Sequence, residues 1–259
     1  MVSERKQRIR EMKDRCNPPE KRVTGPAINN LIYRRIGFLF TRMFIRINAT
    51  PTQVTWIWGA LLMLCSLMFL STNLWIHVLA AFGWIICFSL DCTDGQIARY
   101  KKQYSKRGVF LDLINHSVTW PALFICIGLG LYSMTGEINH VVFAFLAGLF
   151  MPLIMVTPDL YNAVSGEKLN RGDNNSVEGQ LFSSEKKFKR ARDLSPLTFA
   201  NAYLILLIVA TSDLLIAHTS FTFELFWMTN FLSIFVVFYG VFFPLAFFIR
   251  VGILYRRLK

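Results

Sequence analysis

Read with a window of about 19 residues, the apolar positions gather into six long runs, at about 54–70, 74–90, 109–132, 141–161, 197–217 and 225–249. Each is long enough for a helix to cross a hydrocarbon core of roughly 30 Å. Ahead of the first run the pattern changes. Ile28, Leu31, Ile32, Ile36, Leu39, Met43 and Phe44 recur at three- and four-residue spacing, with Arg34, Arg35, Arg42 and Arg46 between them. That spacing predicts an amphipathic helix, lying in the membrane interface or packed on protein alone. Thr50-Pro51-Thr52 supplies a cap and a start signal for the first span. The polar stretch 166–194, rich in Gly, Asn, Ser and Lys, reads as a loop. The expected fold is all-α and integral to the membrane, with six transmembrane helices preceded by an N-terminal amphipathic interfacial helix. It divides into a basic segment, 1–49, and a six-span domain, 50–259.

Composition and charge sharpen this picture. Of 259 residues, 54% are hydrophobic and 17% charged, against about 45–50% and 25% in soluble domains, which excludes a soluble enzyme or a disordered chain. The 28 basic residues fall in four blocks: twelve before residue 50, five in Arg99–Arg107, seven in Lys168–Arg192 and four in Arg250–Lys259. The alternate connections, around Ser71-Thr72-Asn73, Gly136-Glu137-Ile138-Asn139 and His218 to Glu224, hold none. Basic residues beside spans stay in the cytosol, so both termini and the two basic loops are expected there. The membrane would be the plasma membrane of a bacterium or an endomembrane of a eukaryote. The net charge of +12 then reflects topology and anionic headgroups; no nucleic-acid-binding module accompanies it. Five scattered cysteines without a CxxC pair read as reduced structural thiols. The charged start, Met1 to Arg22, lacks the apolar core of a cleaved signal peptide.

Charge inside a membrane-level helix is costly, which makes each such residue a functional candidate. One cluster stands out: Asp91-Cys92-Thr93-Asp94-Gly95-Gln96-Ile97-Ala98-Arg99, followed by Gly108, Asp112 and His116. Asp91 and Asp94 are three apart, Asp112 and His116 four apart, so each pair projects from one helix face, and a short hairpin brings the faces together. Three converging carboxylates repel one another unless protonated or neutralised. A hard divalent ion, Mg²⁺ or Mn²⁺, suits such oxygen ligands and can grip a diphosphate at the same time, which points to phosphoryl chemistry. Gly95 and Ala98 leave room for a ligand, and Arg99 can fork onto phosphate oxygens. The plain alternative is a salt-bridge patch among Asp91, Asp94 and Arg99.

The run D-x2-D-G-x2-A-R-x8-G-x3-D over Asp91 to Asp112 resembles the signature of the CDP-alcohol phosphotransferases. Seven fixed residues at usage of about 5–8% each would arise by chance in roughly one chain in a million, so the match is specific. The start of span one, Thr50-Pro51 with Gln53-Val54-Thr55, is also similar to that family. The resemblance implies a six-span, metal-dependent enzyme that displaces CMP from a CDP-activated alcohol by direct attack of an acceptor hydroxyl, one reactant being a lipid. It implies metal binding by Asp91, Asp94 and Asp112, and a cytidine diphosphate site lined by Gly95, Ala98, Arg99, Gly108 and Ser105. A homodimer is implied as well.

The family carries a fourth aspartate four residues after the third, as proton acceptor and aid to a second metal; here that residue is His116. Neutral imidazole can accept a proton, so His116 is the candidate catalytic base. It adds no negative charge and offers one nitrogen, which weakens a second hard-ion site. The alternative is a family member without activity that binds nucleotide or scaffolds a partner. The Lys-Ala-Arg-Ala-Glu-like run frequent in CDP-diacylglycerol users is replaced by Tyr161-Asn162-Ala163-Val164-Ser165-Gly166-Glu167, which favours a soluble CDP donor and a lipid acceptor. Asp159 either faces the acceptor or is a solvated interface residue. Asp213 and His218 are expected to be exposed at the far end of span five. Lys186, Lys187, Lys189, Arg190 and Arg192 are expected to hold lipid headgroups or draw an anionic acceptor. A transporter is disfavoured, because the acids gather at one end of the spans rather than at the midplane.

Overall fold

The computed structural model describes residues 2–18, 32–165, 199–218 and 231–258. Among them there is no strand; the order is α1 (Val2–Cys16), α2 (Arg34–Arg46), α3 (Pro51–Met68), α4 (Leu74–Lys101), α5 (Lys106–Thr135), α6 (Asn139–Ser165), α7 (Phe199–His218) and α8 (Phe231–Arg257). Five of these, α3 to α6 and α8, are long and apolar enough to cross a membrane. The run expected to be the fifth span lies in α7, whose apolar core is the shorter Ala202–Leu215. Residues 166–198, with the five loop cations expected to meet lipid, lie outside the described residues.

Local signals set the helix ends. Thr50 and Gln53 form a reciprocal capping box at α3: the Thr50 hydroxyl accepts from the Gln53 N–H, and Gln53 Oε1 accepts from the Thr50 N–H, with Pro51 at the first helical position. Asn73 caps α4 by accepting from the Trp75 N–H. At the other end Lys102 takes a left-handed conformation (φ 54°) that stops the helix.

Helix α4 is the axis of the assembly: α1, α2, α3 and α7 all pack on it, while α5 bridges α3 to α6 and α8. Tyr203 of α7 stacks on Trp84 of α4 (5.4 Å) and on Trp120 of α5 (5.1 Å), and Phe124 carries the aromatic core onward to Phe235 of α8. These large rings hold the helices together by packing area, since lipid removes most of the hydrophobic drive for helix association.

The amphipathic segment is helical, but its buried side differs from the predicted stripe. Gly37, Phe38, Thr41 and Phe44 are buried, whereas Leu39, Met43 and Ile47 point outward. Gly37 makes this contact possible, because a Cβ there would sit 2.7 Å from the Ser89 carbonyl oxygen of α4. Ile28 and Leu31 lie outside the described residues. Asp213 also departs from expectation. It is buried, and its two carboxylate oxygens accept from the backbone N–H groups of Phe231 (2.6 Å) and Leu232 (3.0 Å). The first turn of α8 needs acceptors that its own helix lacks, and Asp213 supplies them from the neighbouring helix.

Candidate functional site

The motif lies across one helix–turn–helix. Helix α4 continues unbroken through Arg99 to Lys101, residues 102–105 turn the chain, and Ser105 caps α5 by accepting from the Gly108 N–H at 2.9 Å. Asp91 and Asp94 therefore sit one turn apart on α4, opposite Asp112 and His116 on α5. The stop of α4 and the start of α5 have local causes, and they bring the Asp91/Asp94 pair opposite the Asp112/His116 pair.

Asp91, Asp112 and His116 each offer a donor atom lying within 4.8 Å of the other two. His116 Nε2 is 3.6 Å from an oxygen of Asp91 and 3.6 Å from an oxygen of Asp112. At that separation a protonated imidazole pairs with both carboxylates at once. Asp112 is the most open member, with 39% of its side chain exposed against 14% for His116. Two carboxylates and an imidazole around one small space form a mixed oxygen and nitrogen donor set that fits a divalent cation.

Asp94 stands apart from this trio. Both of its hydrogen bonds fall on Oδ2, from the Thr55 hydroxyl (2.8 Å) and the Trp58 indole N–H (2.9 Å) of α3. The Trp58 ring also lies against the His116 imidazole, with centroids 5.1 Å apart. A single buried indole thus touches both halves of the site. Asn115, next to His116, donates to the Thr55 carbonyl at 2.9 Å and fastens α5 to the same turn of α3. None of Trp58, Thr93, Gln96 or Asn115 was singled out from the sequence, and Thr55 only as part of the span-one start. The three-residue spacing of Thr55 and Trp58, which puts them on one helix face, is a signal that could have found them.

The back of α4 is tied to α2. Gln96, fully buried, accepts from the Thr41 hydroxyl at 2.8 Å and donates to the Arg34 carbonyl at 3.1 Å. Thr93 donates to the Gly37 or Ser89 carbonyl, each at 3.0 Å. Two positions that the motif pattern leaves unspecified, Thr93 and Gln96, are therefore structural anchors here.

Among the residues expected at the nucleotide, Gly95 and Arg99 lie together: a Cβ on Gly95 would meet Arg99 Nη1 at 3.3 Å. Arg99 Nε donates to the Cys16 carbonyl at 2.7 Å. Ala98 is half-buried on the same helix. Ser105 and Gly108 are joined to each other in the α5 cap. Asp159 is exposed on α6, and His218 ends α7.

No match is found among curated proteins. A family model described as CDP-alcohol phosphatidyltransferase matches residues 48–242. That stretch holds α3 to α6, the whole carboxylate and imidazole cluster, and the turn between α4 and α5. The chain is a helical membrane protein of the CDP-alcohol phosphatidyltransferase family, a family of phosphotransferases.

Proposed function

We propose that the protein transfers a substituted phosphoryl group from a CDP-activated alcohol to an acceptor hydroxyl, releasing CMP, in phospholipid or lipid-linked headgroup synthesis. The observation that carries this reading is the meeting of Asp91, Asp112 and His116 across the α4–α5 turn. Asp91 and Asp112 would hold Mg²⁺ or Mn²⁺, with Asp94 completing the acidic set through the oxygen left outside its bonds to α3. A bound cation of this kind neutralises diphosphate charge and eases departure of CMP. Arg99 adds a fixed positive charge beside Gly95, where phosphate oxygens can approach the helix closely. His116 takes the proton of the attacking hydroxyl, the role its position in the motif supports. Trp58 and Asn115 hold its helix and ring in place.

The same reading has six spans, α7 being the fifth, with both termini and the motif-bearing end in the cytosol. One reactant is a lipid entering from the bilayer, and the working unit is a homodimer, as the family implies.

Purified protein given a panel of CDP-alcohols and hydroxyl acceptors, with products identified by mass spectrometry, tests the proposal. CMP release that falls by about 10²- to 10⁴-fold in His116→Ala and is partly kept in His116→Asp supports it. Undiminished turnover in His116→Ala removes His116 as base. Metal-dependent CDP binding with no turnover on any pair overturns the enzymatic reading in favour of a nucleotide-binding scaffold.

A further inference from the structure

Helix α1 (Val2–Cys16) precedes the stretch matched by the family, yet it packs on α4 at the motif. Its last residue, Cys16, is fully buried, and the following Asn17 is nearly so. The Cys16 backbone carbonyl accepts from Arg99 Nε at 2.7 Å. A helix ends with carbonyls that lack partners in the helix and carry partial negative charge, so a guanidinium is a fitting partner there. With Nε turned to α1, the Nη1 and Nη2 ends lie over Gly95, where a Cβ would meet them at 3.3 and 3.6 Å. One bond thus settles which edge of the guanidinium faces the helix surface that carries the motif. Arginine recognises phosphate through such a planar fork, and a fork aimed in advance loses less freedom on binding.

We propose that the carboxyl end of α1 is part of the donor-binding apparatus: through the Cys16 carbonyl it aims Arg99 at the nucleotide diphosphate and couples docking of the N-terminal helix to nucleotide affinity. Cys16 and Arg99 are positioning partners in this scheme, and the inference rests on the donor site proposed above. Coupling of this kind is reciprocal, so nucleotide must also hold α1 down.

The test uses the full chain in detergent, with CDP and Mn²⁺ as the probe. The Cys16 thiol is buried, and burial pushes it up to about 11, so alkylation at this residue reports lifting of the α1 end. Saturating CDP should slow N-ethylmaleimide labelling of Cys16 by about tenfold, read by peptide mass spectrometry, and Arg99→Gln should abolish that dependence. In parallel, Cys16→Trp, too large for its buried place, should weaken CDP binding by about tenfold in calorimetry. In an Arg99→Gln background Cys16→Trp should add no further loss. Labelling that ignores CDP in a protein that binds it overturns the inference and leaves the donor site standing. A parent chain with no affinity for CDP removes the donor site and the inference together.

Discussion

The hydrogen bonds from Thr55 and Trp58 to Asp94 allow one prediction to be worked through. Both donors meet Oδ2, at 2.8 and 2.9 Å, and both side chains are buried. A hydrogen bond to a charged acceptor contributes about 1.5–3 kcal/mol, and about 1.4 kcal/mol is a factor of ten in rate or affinity. Trp58→Phe keeps an aromatic ring beside His116 and removes only the N–H. It should therefore lower Mn²⁺ affinity, or kcat/KM for CMP release, by about ten- to hundredfold. The melting temperature in detergent should move by only a few degrees, because the aromatic volume is largely kept. Thr55→Val should act in the same direction. The double variant should lose less than the product of the two, since both donors serve one oxygen. Trp58→Leu separates the two contacts of the indole by removing the ring from His116 as well. Parental cation affinity and turnover in both Trp58→Phe and Thr55→Val would refute the claim that α3 holds Asp94 in a working orientation.

Other expectations follow from single contacts. Asp213→Ala should destabilise the fold by about 1–3 kcal/mol through the opened start of α8, measured by thermal unfolding, while nucleotide affinity stays near the parent value. Gly37→Ala places a methyl 2.7 Å from the Ser89 oxygen and should cost about 1–3 kcal/mol by pushing α2 off α4. Gln96→Leu leaves the Thr41 hydroxyl and Arg34 carbonyl without this partner, with a similar loss of about 1–3 kcal/mol and a raised protease sensitivity near α2. Exhaustive chelation should abolish CDP binding and CMP release together, and Mn²⁺ or Mg²⁺ should restore both; retention of either property after chelation counts against a cation between Asp91 and Asp112.

Much of the fold was legible because lipid imposes a one-dimensional rule. Long apolar runs must become helices, and the Thr50-Pro51 start of α3 is a local feature of sequence, whereas the caps at Asn73 and Ser105 appear only in the structure. The pairing of Asp91 with Asp112 was legible for a similar reason, since helical spacing and a short turn leave few other arrangements. Contacts between distant segments were not. Cys16 meets Arg99 across 83 positions and Thr41 meets Gln96 across 55, and no periodicity within either segment encodes such a pairing. Helix α1, with its many charges, carries no membrane pattern, so its sequence predicts only a cytosolic start. The burial of Asp213 is not legible locally, because its role answers what α8 lacks, the acceptors for its first N–H groups, rather than anything near Asp213 in sequence.

The anchoring of α4 makes the two sides of the motif turn unequal. Its rear is pinned by Thr93 and Gln96, and its end by Lys101, whose ammonium reaches Asn48 and the Ala49 carbonyl. The opposite side begins with residues 102–107, all six of them exposed, and is held at the start of α5 by the Ser105 cap. One side of the turn is thus tied down by several hydrogen bonds and the other carries only its cap. Local opening of the motif should therefore begin at this turn, on the α5 side, while α4 keeps its place.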